Sequence, residues 1–337
     1  MFESLKTTKN LLAFSGGVDS TALFFMLLEN SIDFDIAIVN YNIRAESKLE
    51  VAYAHELAKK YSKKIYLKDI IQIEKNNFES NARNIRYDFF DEIMGENGYE
   101  ILITAHQLND RFEWFLMQLS KGAGVATICG FEDISIWKGY KIARPLINTT
   151  RQKLLDFLKQ KNIKYFEDSS NLDQKYKRNF FRHNFSNDFV NNFEDGIRRS
   201  FEYLSLDAQM LRQNTSIIAE KNELLVVAFM DEQMAVQALD MELKKRGVLI
   251  SKNTRQEILK QKQITISSKF CVAIEANLAW ICPVCESVMD KKFKECARVA
   301  KIPQNIRPYL KKILGDCDEV KKFIGDLHAG RRLFLDK

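Results

Sequence analysis

The stretch LLAFSGGVDSTALFFMLLEN, residues 11–30, decides how the rest of the chain is read. An apolar run from Leu11 to Phe14 stops at Ser15-Gly16-Gly17, and a helical pattern follows from Val18. Strand, glycine turn and helix together make an anion nest. The glycines allow a tight turn that converges backbone N–H groups, and the helix start adds partial positive charge. Ser15 and Ser20 add hydroxyl donors. Asp19 does not favour a phosphate directly, so a carboxylate at this place points to a Mg²⁺ bridge. No Gly-Lys-Ser/Thr follows the glycines, and the G-x-G-x-x-G pattern is absent, which excludes the two commonest phosphate loops here.

Working outward, residues 11–146 alternate between short apolar runs and helical patterns. Strands are predicted at 11–15, 35–40, 64–69, 100–105 and 140–145, with helices near 18–30, 47–62, 79–94 and 108–119. This is an α/β pattern: a parallel sheet with helices on both faces. Ligands of such sheets sit at the carboxyl ends of the strands, where Ser15, Asn40, His106 and Arg144 fall. A helical pattern covers 188–221. The spacing therefore predicts a nucleotide-binding domain over 1–187, a helical linker over 188–222 and a smaller α+β region over 223–337. In that last region ELLVVAFM (224–230 with its preceding Glu223) reads as strand or buried helix. TISSKFCVAIEANLAWICP reads as one or two strands, and 290–337 as short basic helices.

The chain has 337 residues, 46% hydrophobic and 28% charged, with only 4 Pro and 13 Gly, which favours a helix-rich globular protein. The net charge of +6 is compatible with a polyanionic partner. Two stretches concentrate it, 244–262 and 291–312, and both suit contacts to an RNA backbone. The polar N-terminus and the lack of a membrane-length apolar run lead to the expectation of a cytoplasmic protein with no membrane partner. The six cysteines are then thiols.

The string Ser15-Gly16-Gly17-Val18-Asp19-Ser20 resembles the pyrophosphate loop of the N-type ATP pyrophosphatases, the PP-loop superfamily. That resemblance implies cleavage of ATP between its α and β phosphates and adenylation of a substrate oxygen. The superfamily includes tRNA thiolases, GMP and NAD synthetases, argininosuccinate synthetase and the tRNA(Ile)-lysidine synthetases. Further segments resemble the last of these. TAHQLNDRFEW (104–114) is similar to T-A-H-H-x-D-D-Q-x-E-T, with Thr104, Ala105, His106, Asp110 and Glu113 matching and Gln107, Asn109, Arg111 and Trp114 departing. Ala82, Arg83, Arg86 and Tyr87 match an A-R-x-x-R-Y helix, and ARPLIN (143–148) an R-P-L-L segment containing Arg144. Asp168, Ser170, Asn171, Arg178, Asn179 and Arg182 match E-D-x-S-N…R-N-x-x-R. VNYNIR (39–44) is similar to V-N-H-G-L-R, with Val39, Asn40 and Arg44 kept and Tyr41 and Asn42 in place of His and Gly.

The resemblance implies ATP and Mg²⁺ as cosubstrate and cofactor, and isoleucine tRNA with a CAU anticodon and L-lysine as partners. It implies ATP binding by residues 15–20, a Mg²⁺ contact at Asp19, and catalytic roles for Asp19, His106, Asp110 and Glu113. Asp110 or His106 is then the candidate acceptor of the lysine proton. Asn40, Arg83, Arg86, Arg144, Arg178 and Arg182 are the implied contacts to nucleotide or RNA. No cysteine lies in these motifs, which argues against sulfur transfer. One C-x-x-C, Cys282 to Cys285, lies far along the chain, with Cys296 and Cys317 irregularly spaced beyond it. A thiolase on the same scaffold and an RNA-binding protein with a relict ATP site are the rival readings.

Overall fold

The computed structural model describes residues 1–42, 47–70, 78–167 and 177–335. The chain divides into two compact units, Met1–Leu206 and Asp207–Lys337.

The first unit runs β1 (Asn10–Ala13), α1 (Val18–Glu29), β2 (Phe34–Asn40), α2 (Ser47–Lys60), β3 (Ile65–Asp69), α3 (Phe78–Asn97), β4 (Ile101–Ile103), α4 (Leu108–Leu119), α5 (Val125–Ile128), β5 (Ile134–Trp137), β6 (Tyr140–Ala143), α6 (Arg151–Gln160) and α7 (Lys177–Phe181). A π-helical turn, Arg182–Ser186, leads into α8 (Asn187–Gln213). The sheet order is β3-β2-β1-β4-β6-β5. All pairings are parallel except the β5–β6 hairpin. Alternation along β1 explains why both faces are covered. Leu12 packs with Phe24, Leu27, Leu57 and Leu154 on one side, and Leu11 with Phe90, Met94 and Leu102 on the other. Strand order reverses about β1, with β2 on one side and β4 on the other. The crevice at the carboxyl ends of β1 and β4 is therefore the topological switch point, where ligands of such sheets bind.

The second unit is a five-stranded antiparallel sheet, β7-β8-β11-β10-β9. It comprises β7 (Thr215–Lys221), β8 (Leu224–Phe229), α9 (Glu232–Lys245), α10 (Lys252–Gln261), β9 (Gln263–Ile266), β10 (Phe270–Glu275), β11 (Leu278–Pro283), α11 (Lys291–Val299), α12 (Arg307–Leu314) and α13 (Cys317–Leu335). Even-numbered residues of β8, among them Leu224 and Val226, pack with α11–α13, and odd ones, Leu225 and Val227, with α9 and α10.

Three expectations change. The helix read over 188–221 ends at Gln213, and Thr215–Lys221 is a strand, so 188–222 is not a helical linker. The β-branched Thr215, Ile217 and Ile218 fit a pleat better than a helix. The stretch read as one or two strands is three, β9 to β11, with β10 and β11 joined at Ala276 and Asn277, both at positive φ, as a tight hairpin turn requires. Strand β5 was not expected. It is a four-residue edge strand with one face exposed, too short to show a period.

Candidate active site

The loop after β1 is shaped by two glycines. Gly16 has φ +76, a left-handed conformation that disfavours any side chain, and its Cβ position is flanked by Glu50 and Phe166. Gly17 caps α1 without a side-chain bond, so no capping group closes off the first helical N–H groups. A short parallel bridge fixes the loop from outside: Gly17 pairs with Phe166, and Phe166 N–H donates to Gly16 C=O at 2.9 Å. Ser20 Oγ accepts from Ser15 N–H (3.2 Å) and lies 3.0 Å from Ser15 Oγ. The two hydroxyls thus hold each other at the mouth of the nest.

Asp19, in the first turn of α1, is largely buried. Its Oδ2 lies 3.7 Å from Arg151 at the start of α6, while Oδ1 is buried with no hydrogen-bond partner. Burial, and then the like charge of Asp110, pushes its carboxyl up to about 7, against the pull of Arg151 and Arg182.

Helix α4 brings the second set. Its start is a capping box: Gln107 Oε1 accepts from Asn109 N–H (2.6 Å), and Asp110 Oδ2 accepts from Gln107 N–H (3.1 Å). Asp110 Oδ1 is held by Arg178. Glu113, fully buried, is gripped on both oxygens, by Arg178 Nε (2.9 Å) and by Arg182 Nε (2.7 Å) and a terminal nitrogen (3.1 Å). Two guanidiniums and two carboxylates thus form a closed, neutral clamp between α4 and the α7–π-turn segment. Burial raises the Asp110 carboxyl, but Arg178, His106, Arg182 and the Gln107 N–H outweigh it and hold it below the usual range. Burial lowers the Arg178 guanidinium, but Asp110 and Glu113 more than reverse this and keep it firmly charged.

His106, just past β4, lies 3.0 Å by its Nδ1 from Thr104 Oγ1, and its ring packs on Phe131. Burial, with Arg144, Arg178 and Arg83 opposing only Asp110, lowers its pKa to about 4. The ring is therefore neutral near pH 7 and a weak base. Asp110 is likewise committed to Arg178, so neither candidate acceptor of the lysine proton is a strong base in this arrangement.

The structure thus brings together residues 15–20, His106, Asp110, Glu113, Arg178 and Arg182. Arg144 is buried nearby, donating to Glu132 C=O (2.7 Å) and Ser135 Oγ (3.0 Å), with Nε unpartnered. Arg83 is exposed and lies over the Tyr87 ring at 4.6 Å. Asn40 and Arg86 stand apart from the clamp. Asn40 donates to Asp69 (2.7 Å) and Asn42 (3.0 Å), tying the ends of β2 and β3, and Arg86 is exposed on α3 with Tyr41 as its charge neighbour. Arg44, Asp168, Ser170 and Asn171 lie outside the described residues.

The four departures from the family pattern in α4 have structural work. Gln107 is the helix cap. Asn109 accepts from Arg151 N–H (3.1 Å) and donates to Asn187 (3.3 Å). Arg111 donates to Cys129 C=O and Ser205. Trp114 donates to Thr127 C=O and covers Gly130, whose φ of +72 and 2.9 Å clearance to the indole leave no room for a side chain. Sequence reading missed Arg151 and Phe166. Arg151 partners Asp19 from the far end of the unit, and nothing in local spacing links the two.

The donor set suits Mg²⁺ in the form this ion favours, one or two protein carboxylates with substrate phosphates completing the shell. Asp19 Oδ1 is buried and lacks a partner. Among the described residues no group of three or more His, Cys, Asp or Glu is placed to hold a metal. That includes the C-terminal cysteines: Cys271 and Cys282 face each other across β10 and β11, and Cys296 lies against Cys317 C=O. No helix among the described residues is long and apolar enough to cross a membrane.

Residues 1–189 match the PP-loop domain family, so the first unit is a PP-loop ATP-binding domain. Similarity to individual proteins extends past it. The tRNA(Ile)-lysidine synthase of Campylobacter jejuni is 43% identical over 308 residues, covering 91% of this chain and 93% of its own. Those of Helicobacter pylori and Helicobacter hepaticus are 40% and 39% identical, over 91% of this chain and 91% and 82% of theirs. The chain belongs to the tRNA(Ile)-lysidine synthase family.

Proposed function

We propose that the chain is a ligase that joins L-lysine to the wobble cytidine of the CAU anticodon of isoleucine tRNA, at the expense of ATP. The convergence of the open phosphate loop, Asp19 and the charge clamp at one sheet switch point carries this reading, and the family membership supports the substrates. The cytidine ring carbonyl oxygen attacks the α-phosphorus of ATP as the bond to the β-phosphate breaks. The lysine ε-amine then displaces AMP from the activated ring carbon, losing a proton.

Each set of residues has a part. The unclosed N–H groups of α1 and the hydroxyls of Ser15 and Ser20 take the departing pyrophosphate, on which negative charge grows. Mg²⁺, held by Asp19 with phosphate oxygens, would neutralise that charge. Glu113 positions Arg178 and Arg182 rather than meeting substrate, because both its oxygens are occupied. Arg178, whose side chain is more exposed than that of Arg182 (41% against 17%), is the one of the two that faces an adenylate or RNA phosphate in this reading. Asp110, with Oδ1 on Arg178 and Oδ2 capping α4, helps Glu113 to position that guanidinium, and neutral His106 offers an uncharged hydrogen-bonding edge beside it. In the second unit the helices α10 and α11 present Lys260, Lys291, Lys292 and Lys294 for RNA backbone contact. Arg255, Lys262, Arg298 and Lys311 are tied to Asp240, Glu232, Glu295 and Asp290.

The test is incorporation of labelled lysine into an isoleucine tRNA transcript with a CAU anticodon, in Mg-ATP, with a CAU-anticodon methionine tRNA as control. Label in the first alone is the expected result. Pyrophosphate release without label would retain the adenylation and reject lysine as nucleophile.

A further inference from the structure

Beside the charge clamp lies a groove of about 860 Å³, with six phenylalanines among its fourteen lining residues. Phe112 and Phe115 come from α4, Phe185 from the π-helical turn, and Phe189, Phe193 and Phe201 from α8. Three rings are nearly parallel: Phe112 lies 10° from Phe115 and 10° from Phe189, with centroids 6.0 and 5.2 Å apart. Phe193 stands next to this row, its ring 4.9 Å from that of Phe189 and tilted to it by 49°. These rings are not sealed in a core. Phe185, Phe189 and Phe193 are 50%, 48% and 57% exposed. A cluster of exposed aromatics of this kind marks a binding surface rather than ordinary protein surface.

Its position relative to the clamp says what binds. Arg178, Arg182, Phe185 and Phe189 recur at intervals of four, three and four along α7, the π-helical turn and the start of α8, and Phe193 follows four residues on at a kink in α8 where the backbone is not helical. One face of that run therefore passes from guanidiniums to aromatic rings. Seven residues separate Arg182 from Phe189, roughly 10 Å of helix axis, which is one to two nucleotides of extended single strand. The rim is polar, with Asn184, Asp188 and Asn192 among the lining residues. Cationic group, flat aromatic faces and hydrogen-bonding rim, in that order, fit a nucleic acid strand whose unpaired bases stack on protein rings. A protein segment would use the apolar walls but not the guanidinium-to-ring order.

We propose that this groove takes an unpaired nucleobase flanking the base that reacts, stacked in line with the parallel rings that end at Phe189 and with Phe193 against its edge. The inference rests on the function proposed above and adds the site that holds the RNA strand beside the reacting nucleotide. The parallel ring ladder sets the plane of the incoming base. The neighbouring reactive base is thereby held out of its own stack and presented to the clamp.

The experiment measures binding of a CAU-anticodon stem-loop RNA to the full chain, and lysine incorporation into the full tRNA, for four proteins: unaltered, Phe193→Ala, Phe189→Leu and Phe189→Trp. Stacking on one ring is worth about 1–3 kcal/mol by substitution, or roughly 5- to 150-fold in affinity. Phe193→Ala and Phe189→Leu are expected to weaken stem-loop binding within that range. They should raise KM for tRNA while leaving KM for ATP unchanged. Phe189→Trp keeps an aromatic face and is expected to restore binding. A stem-loop abasic at one position flanking the reactive cytidine should bind the unaltered chain and Phe193→Ala alike, because the stacking partner is gone. Variants that bind the intact stem-loop as tightly as the unaltered chain, with lysine incorporation intact, overturn the groove and spare the proposed function. Failure of the unaltered chain to bind the stem-loop, with lysine still incorporated into the full tRNA, overturns the groove and spares the proposed function, and failure of both overturns both. Self-association that Phe193→Ala abolishes, with RNA affinity unchanged, assigns the groove to a second copy and overturns the proposal.

Discussion

Asp19 and Glu113 are carboxylates in one site, and their surroundings differ in kind. Both oxygens of Glu113 are taken by guanidiniums, so its charge is compensated within the protein. Asp19 keeps one buried oxygen without a partner, and its carboxyl is pushed up to about 7. The clamp is complete as it stands, whereas at the loop Asp19 has only Arg151, 3.7 Å from one oxygen, and nothing on the other. The contrast separates parts that hold geometry from parts that await a ligand: a closed ion cluster resists rearrangement, whereas a buried carboxylate with one oxygen unpartnered favours an arriving cation.

Breaking the closed side has the largest expected effect. Glu113→Ala leaves two guanidiniums facing an apolar gap. Removing one partner of a buried ion cluster costs about 3–5 kcal/mol, and the partly solvated Arg178 puts this case near the lower figure. A fall in denaturation midpoint, with pyrophosphate release lost, is the expected result. Glu113→Gln should recover part of the stability but little activity. Full activity in Glu113→Ala would show that Arg178 and Arg182 are positioned by something else.

Gly16→Ala disturbs the open side. The new Cβ meets Glu50 and Phe166 at 3.5 Å, ordinary contact distances, so the penalty is torsional. Forcing a side chain into the left-handed region costs roughly 1–2 kcal/mol, partly offset by the stiffer unfolded chain. A melting temperature lower by a few degrees, with pyrophosphate release reduced about tenfold or more as the loop N–H groups turn away, separates this variant from the clamp variants. Unchanged release kinetics would remove the loop from phosphate binding.

The loop also makes a pH-dependent contribution with a defined sign. A carboxyl whose folded pKa is about 7, against 3.8 unfolded, favours the folded state below pH 4 and loses that advantage as pH rises towards 7. His106, lowered to about 4, acts oppositely over pH 4 to 6.5, so the wild-type curve alone is ambiguous. The difference between the unaltered chain and Asp19→Asn isolates the Asp19 share. Melting temperature should fall with rising pH in the unaltered chain relative to Asp19→Asn, and added Mg²⁺ should restore it most near pH 7. A difference curve flat from pH 4 to 7.5, with or without Mg²⁺, would leave Asp19 with no such role.

The same contrast explains what was legible in the sequence. The loop is local: strand, glycines and helix start are contiguous, so Ser15 to Ser20 announce the nest. The clamp joins α4 to a distant segment, and the interval between Asp110 and Glu113 says only that they share a helix face. That Arg178 and Arg182 close on that face depends on tertiary packing. A resemblance reached these residues, but not which oxygen each guanidinium holds. Asn42 shows a substitution that physics makes readable: it stands where the family pattern has Gly, at φ +52, and Asn is among the few residues that tolerate that conformation. Arg151 carried no signal, because its link to Asp19 exists only once α1 and α6 pack together. Strand β7 was misread because the helical periodicity of α8 ran into it without a glycine or proline to mark the break.

The smallest effect is expected far from both carboxylates. Cys282 is buried in the second unit opposite Cys271, and Cys285 is partly buried beside the same core. A sulfur-transferring enzyme would use such thiols directly, whereas here they pack like small apolar side chains. Cys285→Ala should leave lysine incorporation within twofold of the unaltered chain. Cys282→Ala should lower the melting temperature slightly through the cavity it leaves, again with little change in turnover. Abolished RNA modification in either variant, with the fold intact, would return sulfur chemistry to contention. It would also make the second unit, rather than the contrast between clamp and loop, the place to look for the reacting group.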